Sequence, residues 1–340
     1  METTRNHRVV VTRRGGPDVL EVVTEGLPEP GPGEIRVKTM AAGVSSYDVM
    51  LRAHWFPGQK PPYTPGEDIV GLVDKLGEGV MGLEVGQRVG LWTFGDAGGY
   101  SEYISTPAER AVPVPGGLDS VEAVALVVNY LTASLAMHQM AGAQRGERIL
   151  AHGAAGGVGS ALVQLGALAD LEVYGTASSY NHELVESLGA VPIDYRSDDF
   201  VARIRELTGD GVDVVFDVIG GGRQLWHSFR ALRKGGRLIM LGMASAVKGG
   251  IKKIPGSMLV VGLVKILPNG KTAPMGPGME AYPKEHMDWY RDSLAEFFDL
   301  AVTGKMKPVI ADRFPLREAA RAHELIERGG YAGKVVLTVV

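Results

Sequence analysis

A glycine-rich turn is the strongest chemical signal in the sequence. It lies within residues 149–165, which read ILAHGAAGGVGSALVQL. Gly153, Gly156 and Gly159 have G-x-x-G-x-x-G spacing, and Gly157 lies beside the middle glycine. Such spacing lets a strand turn tightly into a helix and lets backbone amides approach a diphosphate at the positive end of the helix dipole. No Lys-Ser or Lys-Thr follows, which excludes a Walker A loop, so the turn predicts dinucleotide binding.

The elements around this turn predict the matching fold. Strand-like runs alternate with helical patterns and are joined by short connections. The predicted strands are Arg148–His152, Glu172–Thr176, Val191–Ile193, Val212–Val218 and Arg237–Gly242. The predicted helices are Gly156–Leu168, His182–Leu188, Asp199–Leu207 and Gln224–Leu232. This alternation is typical of a doubly wound parallel α/β sheet of the Rossmann type. A glycine-rich turn without a ligand is the alternative, and the strand before it and the helix after it argue against that alternative.

Residues after the second and third strands bear on which dinucleotide binds. Folds that bind NAD commonly have an acid at the end of the second strand, where it accepts a hydrogen bond from the ribose 2′-hydroxyl. Here that end carries Ser178 and Ser179, and Glu172 is at the opposite end of the strand. The two serines leave room for a 2′-phosphate, and Tyr195 and Arg196 add a phenol and a cation. This pattern favours NADPH, and it remains compatible with the serines capping the next helix.

The remainder of the chain predicts a second domain in two pieces. The first ~120 residues read as short strands between Gly/Pro turns, which is typical of an irregular β-barrel. A predicted strand at Met258–Val264 lies in a Gly-, Lys- and Pro-rich stretch, and helices and a last strand follow it. The order predicts a catalytic domain from residues 1–125 and 270–340 around a nucleotide-binding domain at residues 126–269.

Composition excludes several classes of function. The 35 Lys and Arg residues against 39 Asp and Glu give a net charge of −4, so no basic surplus exists for a nucleic-acid partner. Cysteine is absent, which excludes disulfides, thiolate nucleophiles and cysteine-ligated zinc. The apolar runs are too short for a membrane span. We therefore expect a soluble, cytoplasmic protein.

Several segments, taken in order, resemble one family. Beside AHGAAGGVGSALVQL stand short motifs along nearly the whole chain: AAGV at 41–44 with Asp48, TPGE at 64–67 with Gly71, GQRV at 86–89, GGYSEY at 98–103, DVIGG at 217–221 and GKVVL at 333–337. Together they resemble the zinc-independent quinone oxidoreductases, the zeta-crystallin-like branch of the medium-chain dehydrogenases/reductases.

The resemblance implies an activity, a cofactor and an assembly. It implies NADPH-dependent reduction of a quinone or another electron-poor enone without zinc, a GroES-like catalytic domain, and a homodimer paired through an edge strand, for which Met258–Val264 is the candidate. The implied cofactor contacts are Gly153, Ala155, Gly156, Gly157, Val158, Gly159, Ser178, Ser179, Tyr195, Gly242, Met243 and Lys334. Three positions depart from the family pattern: Ser45 and Met243, where relatives often have Asn, and Asn181, where they often have Lys.

Hydride arrival at a conjugated carbon leaves negative charge on the substrate carbonyl oxygen, and donors aimed at that oxygen lower the barrier. The candidate donors are Ser45, Tyr47, Asn129 and Thr132. Each has a structural alternative: helix capping for Asn129 and Thr132, and packing for Tyr47. Two other functions remain open, namely an enoyl or 2-alkenal reductase and a non-catalytic NADPH-binding regulatory protein.

Overall fold

The chain forms two units whose sequence ranges alternate. The structure is a computed structural model that describes residues 5–53, 59–96, 98–242, 244–249, 254–267, 270–274 and 278–339. The first unit comprises Met1–Leu131 and Glu280–Val340, and the second comprises Thr132–Met279. The structure therefore divides the chain at residues 131/132 and 279/280, whereas the sequence led us to expect 125/126 and 269/270.

Fourteen strands and eleven α-helices lie in the described residues. The strands are β1 Arg5–Val11, β2 Leu20–Gly26, β3 Glu34–Val44, β4 Asp68–Leu76, β5 Arg88–Trp92, β6 Tyr103–Pro107, β7 Val112–Pro113, β8 Arg148–His152, β9 Glu172–Ala177, β10 Val191–Asp194, β11 Val212–Asp217, β12 Leu232–Met240, β13 Ile310–Pro315 and β14 Lys334–Thr338. The helices are α1 Ser46–Ala53, α2 Ser120–Ser134, α3 Gly157–Leu168, α4 His182–Ser187, α5 Phe200–Thr208, α6 Gly222–Ala231, α7 Ala244–Gly249, α8 Ile254–Ile266, α9 Ala281–Glu285, α10 Met287–Val302 and α11 Ala319–Arg328.

The first unit is built around a seven-stranded sheet. Its strands run in the order β13-β14-β3-β4-β5-β7, and β6 also pairs with β3, while β1 and β2 form a separate antiparallel pair. The strands bury one apolar cluster, which consists of Ile35, Val37, Ile69, Val73, Val89, Leu91 and Ala111. The last strand of the chain, β14, pairs antiparallel with β3, so the two sequence pieces of this unit share one sheet.

The second unit is the doubly wound parallel sheet that the sequence predicts. Its five strands run in the order β10-β9-β8-β11-β12, and every neighbouring pair is parallel. Counted along the chain this is the order 3-2-1-4-5, in which the direction of winding reverses between β8 and β11. Ligands of such sheets bind beyond the carboxyl ends of the strands at this reversal, which is where β8 leads into the glycine-rich turn.

One predicted strand is wrong. The segment Met258–Val264 lies inside helix α8, although its Val- and Leu-rich composition favours a strand. Burial follows a helical period, because Ser257, Val260, Val261 and Val264 are buried while Met258, Leu259 and Leu263 are exposed. Helix α8 packs on α6, and tertiary packing therefore overrides local propensity. The segment provides no strand edge for the predicted dimer.

Helix α2 continues into a π-helical segment, Leu135–Met140. Among the described residues, this 21-residue stretch is the one long and apolar enough by composition to cross a membrane. However, 89% of its most apolar window is buried inside the protein. The stretch thus has the burial of a core helix.

Candidate functional site

The glycine turn, residues 153–159, connects β8 to α3 with almost no space for side chains. Gly153 has φ of +64°, a left-handed conformation that favours glycine. A Cβ on Gly159 would lie 2.0 Å from the carbonyl oxygen of Gly153, and one on Gly156 would lie 3.2 Å from it. The Gly156 amide donates to the Gly153 carbonyl at 2.8 Å and closes the turn. Two of these glycines are therefore required by geometry: Gly153 by its left-handed φ and Gly159 by its close approach to Gly153.

Helix α3 begins directly after this turn. Gly156 adopts extended backbone angles before the first helical residue, Gly157. The first amides of an α-helix have no carbonyl partner within the helix, so those of Gly157, Val158 and Gly159 form an anion-binding end. Ala155 is buried within the turn. The predicted diphosphate contacts thus fall in the turn and at the N-terminus of one helix, and their binding of a dinucleotide stays a prediction.

Two neighbouring strands bring the predicted phosphate-selective residues together. In the parallel pair of β9 and β10, Ala177 is in register with Asp194, so the residues that follow them lie side by side. The Ser178 hydroxyl donates to the Tyr195 phenol oxygen at 3.2 Å. Tyr195 is 52% exposed. Hydrogen bonds from Ser178 and Arg196 lower the pKa of Tyr195.

The guanidinium of Arg196 lies over two tyrosine rings, one of which belongs to this hydroxyl pair. The central carbon of the Arg196 guanidinium is 5.8 Å from the centre of the Tyr195 ring and 5.6 Å from that of Tyr180, within cation–π distance. Ser178, Tyr195 and Arg196 form what we call the hydroxyl–arginine cluster. It presents the Tyr195 phenol and the Arg196 cation at the carboxyl edge of the sheet, with the phenol held by the buried Ser178 hydroxyl, a donor set that suits a phosphate.

An acid that the sequence reasoning missed lies beside this cluster. Asp194 ends β10 and accepts a hydrogen bond from the Arg196 amide at 2.9 Å. That bond, together with one from the Ser179 hydroxyl, lowers the pKa of Asp194. The Ser179 hydroxyl is therefore engaged by a carboxylate, whereas Ser178 is held by Tyr195. The NAD pattern places its acid at the end of the second strand, whereas Asp194 is at the end of the third, and the strand register is the signal that identifies it.

The other predicted cofactor residues are Gly242, Met243 and Lys334. Gly242 follows β12 close to β11, where an added Cβ would lie 3.1 Å from the Val218 carbonyl oxygen. Met243 is outside the described residues. Lys334 belongs to the first unit and is buried, with its ammonium 2.5 Å from a carboxylate oxygen of Asp68. The structure thus does not bring Lys334 into the unit that carries the glycine turn, and its role toward a cofactor stays a prediction.

The hydroxyl of Ser45 serves helix α1. It donates to the Asp48 carboxylate at 2.7 Å, and the Ser45 amide donates to the same oxygen at 2.8 Å. The Asp48 amide in turn donates to the Ser45 hydroxyl oxygen at 3.2 Å, which completes a reciprocal capping arrangement. The other Asp48 oxygen accepts from the Gly66 amide at 3.0 Å. This use of the Ser45 proton competes with the predicted donation to a substrate.

Tyr47 is half-buried beside carboxyl groups of the same unit. Burial raises the pKa of Tyr47, and hydrogen bonding to Glu280 together with the charge of Glu67 acts in the same direction. Glu67 itself is buried, and the Trp92 indole donates to it at 3.0 Å. Burial, with the charge of Asp48, raises the pKa of Glu67 to about 8. Both groups therefore keep their protons at neutral pH. The sequence places Glu67 in the TPGE motif and gives no signal of its raised pKa.

The two remaining candidates lie in helix α2. Asn129 and Thr132 are both buried and are three residues apart, so they lie on neighbouring positions of one helix face. Both are well inside the helix, which begins at Ser120, so neither caps its start.

Metal-binding donor sets are not found in the part of the chain that the structure describes. No group of three His, Cys, Asp or Glu side chains there could hold a metal ion. The buried carboxylates of the first unit are engaged by other groups: Asp48 by Ser45, Glu67 by Trp92 and Asp68 by Lys334.

Comparison with known proteins identifies the class. The family pattern of the alcohol dehydrogenase GroES-like domain matches residues 31–116, and that of the zinc-binding dehydrogenases matches residues 188–337. The rat quinone oxidoreductase is 32% identical over 330 residues, which are 95% of this chain and 94% of the relative. The chain belongs to the medium-chain dehydrogenases/reductases, in their quinone oxidoreductase branch.

Solved structures agree over the whole fold. The quinone oxidoreductase of Pseudomonas syringae pv. Tomato DC3000 aligns with a TM-score of 0.84 and 28% identity, covering 98% of this chain and 99% of that one. Mycobacterial Rv1454c, solved with NADPH, aligns with a TM-score of 0.83 and 29% identity over the same shares. The chain is an oxidoreductase, and the resemblance stated from the sequence motifs is confirmed.

Proposed function

We propose that this protein reduces a quinone or a related electron-poor enone with NADPH, and that it does so without zinc. The hydroxyl–arginine cluster beside the glycine turn is the observation that supports NADPH rather than NADH as the cofactor. Quinone reduction is named for the rat and Pseudomonas relatives, and a complex with NADPH for the mycobacterial one.

The chain's own residues suit the binding step. NADPH, when bound, supplies the hydride. The glycine turn and the first amides of α3 hold the diphosphate, and the hydroxyl–arginine cluster holds the 2′-phosphate. The negative charge of Asp194 repels a 2′-phosphate at this point, and the positive charge of the Arg196 guanidinium offsets this repulsion. Arg196 and the exposed Tyr195 therefore have more weight in phosphate binding than Ser178 and Ser179, whose hydroxyls bond to Tyr195 and Asp194.

Two observations support a zinc-free reaction. The chain lacks the cysteine ligands of the zinc-dependent relatives, although one matching family pattern bears the name zinc-binding dehydrogenase. Ser45, at the position of an expected first ligand, has its hydroxyl bonded to Asp48. Stabilisation of the substrate oxygen then falls to hydrogen-bond donors, as it does in oxyanion holes.

Tyr47 and Ser45 both have their protons engaged by carboxyl groups of the same unit. The Tyr47 phenol keeps its proton over the neutral range and hydrogen-bonds Glu280, and the Ser45 proton is held by Asp48. Asn129 and Thr132 remain candidates from helix α2. A quinone takes up its remaining proton from solvent, so its reduction requires no dedicated acid.

One observation favours a second function, the reduction of 2-alkenals or enoyl substrates. These products need a proton on carbon, and a carboxyl group that stays protonated near neutral pH is suited to deliver or relay it. Glu67 is such a group, since burial raises its pKa to about 8.

The test is NADPH oxidation, followed by the loss of its near-ultraviolet absorbance, with benzoquinone, phenanthrenequinone and an aliphatic 2-alkenal as acceptors and NADH as the control cofactor. Turnover of a quinone with preference for NADPH supports the proposal. Turnover of the 2-alkenal alone supports the second function. Tight NADPH binding without turnover of any acceptor would contradict both and favour a regulatory role.

We also propose a homodimer in the cytoplasm. The dimer rests on the family resemblance alone, because helix α8 replaces the strand that was to pair two copies. The cytoplasmic location rests on the sequence, whose apolar runs are too short for a membrane span. Sedimentation of the purified protein tests the dimer.

A further inference from the structure

Four buried polar side chains form a continuous chain of hydrogen bonds behind the glycine turn. Thr176 is the last residue but one of β9, and His152 is the last residue of β8. Ser228 lies in α6, and Asp217 is the last residue of β11. All four are at most 3% exposed. We call them the buried relay. None of them is used by the binding or donor roles described above.

The direction of each hydrogen bond follows from the single proton of the Ser228 hydroxyl. Asp217 Oδ2 at 2.7 Å and the Gln224 carbonyl oxygen at 3.0 Å are both acceptors for that proton. Ser228 therefore accepts from Nε2 of His152 at 3.0 Å, which makes Nε2 the protonated nitrogen. His152 Nδ1 then accepts from the Thr176 hydroxyl at 2.9 Å.

The neutral form of His152 agrees with this assignment. Burial lowers the pKa of His152, and the Phe200 ring packs edge-on against the imidazole at 4.8 Å between centroids. Both ring nitrogens have a partner, so the donor and the acceptor of the neutral imidazole are both satisfied.

Both ends of the relay bind backbone amides of loops at the carboxyl edge of the sheet. The Thr176 oxygen accepts from the Gly153 amide at 3.3 Å, within the glycine turn. Asp217 Oδ1 accepts from the amides of Ile219 and Gly220 at 2.9 and 2.8 Å. The relay thus joins the loops after β8, β9 and β11, which flank the reversal of winding where dinucleotides bind.

We propose that Thr176, His152, Ser228 and Asp217 act as positioning residues that hold the glycine turn in its dinucleotide-binding shape and couple it to the loop at residues 218–221. This rests on the proposed function, because it requires NADPH to bind at the glycine turn. Breaking the relay at its Thr176 end or at Ser228 in its middle releases the same turn, so substitutions at Ser228 and Thr176 have the same effect on binding. Ser228 is fully buried on α6 and makes this test sharp, since its side chain is bonded to His152, Asp217 and the Gln224 carbonyl and has no exposed surface to offer a ligand.

The experiment compares four variants by their dissociation constant for NADPH, measured by fluorescence titration, and by amide hydrogen exchange of the ligand-free protein. Ser228→Ala and Thr176→Val break the relay. Thr176→Ser keeps the hydroxyl and is the conservative rescue. Thr208→Val is the matched control, because the Thr208 hydroxyl accepts from the Gly211 amide at 3.0 Å before β11, at the opposite edge of the sheet.

We expect Ser228→Ala and Thr176→Val to raise the dissociation constant about tenfold, which corresponds to one hydrogen bond of about 1.4 kcal/mol. In both, the Gly153 amide exchanges faster, and KM for NADPH rises while kcat at saturating NADPH is retained. Thr176→Ser and Thr208→Val bind NADPH as the unaltered protein does, even if Thr208→Val melts at a lower temperature.

Two results would contradict the proposed role of the buried relay, and the experiment distinguishes them. If the unaltered protein binds NADPH and both relay-breaking variants match it in affinity and Gly153 exchange, the relay is structural only. If the unaltered protein binds neither NADPH nor NADH, the proposed function fails and the relay's role fails with it.

Discussion

The ammonium of Lys334 lies 2.5 Å from Oδ2 of Asp68, and both side chains are almost completely buried. The pair spans the strand β3 that separates β14 from β4. Gly43 of β3 makes room for it, because a Cβ there would lie 2.3 Å from both Asp68 Oδ1 and the Lys334 Cε. The pair therefore joins the early and the late sequence pieces of the first unit.

Removal of one partner from this pair should be costly. Lys334→Met leaves the Asp68 carboxylate buried without a counter-charge, and we expect a loss of about 3–5 kcal/mol in the free energy of unfolding. Urea denaturation measures it. The double variant Lys334→Met with Asp68→Leu should recover part of the loss, since it leaves no buried charge. Equal stability of Lys334→Met and the unaltered protein would show that the pair is not coupled.

Gly159→Ala should abolish NADPH binding, although alanine is the better helix former. Its Cβ would lie 2.0 Å from the Gly153 carbonyl oxygen, so the turn must open. The control is Gly262→Ala in helix α8 of the same unit, where an added Cβ meets nothing within 4 Å. That change should raise stability by up to about 1 kcal/mol and leave binding unchanged. Calorimetric titration with NADPH compares the two, and retained affinity in Gly159→Ala would contradict the assigned turn.

Arg196→Ala should weaken the preference for NADPH over NADH. The guanidinium is the exposed cation of the hydroxyl–arginine cluster, and its loss leaves the Asp194 carboxylate unopposed. We expect KM for NADPH to rise about tenfold or more, with little change for NADH. Arg203→Ala is the control, because that exposed arginine pairs with Glu206 at 2.7 Å. Equal KM changes for the two cofactors would place the 2′-phosphate elsewhere.

Glu67→Gln should alter the pH dependence of stability. Because burial raises the pKa of Glu67 from 4.5 to about 8, the folded protein retains a proton that the unfolded chain releases in this window. The stabilisation is complete below pH 4.5 and is lost as pH rises through 8, so the free energy of unfolding falls over that range.

Glutamine can still accept from the Trp92 indole but does not titrate. The fall should therefore be shallower in Glu67→Gln, by up to about 1.4 kcal/mol per pH unit. Chemical denaturation at several pH values measures both slopes. Glu324→Gln, which removes an exposed carboxyl group, serves as the control. Parallel curves for the unaltered protein and Glu67→Gln would contradict the raised pKa.

The sequence predicts well those parts of the fold in which the local sequence pattern and the tertiary packing favour the same structure. The glycine turn is one, because its spacing reflects a left-handed φ at Gly153 and a close approach at Gly159. The segment Met258–Val264 is the opposite case. Its composition suits a strand, and only its packing against α6 makes it a helix.

The site shows the same division. Ser178 and Tyr195 were predictable together because each directly follows a recognisable strand. The engagement of the Ser45 proton by Asp48 depends on side-chain geometry that a motif does not reveal. Glu67 owes its raised pKa to burial among other acids from distant parts of the chain, such as Glu280. Long-range burial is the information that a single sequence lacks.

The pairing of β14 with β3 has a consequence for synthesis on the ribosome. All five strands of the second sheet lie between Arg148 and Met240, so that unit can form as soon as it emerges. The sheet of the first unit waits for Lys334–Thr338, and until then residues 41–44 of β3 present an open edge. In nascent chains of this protein the edge of β3 therefore stays unpaired through most of translation. We expect holdase chaperones to bind there until the final strand is synthesised.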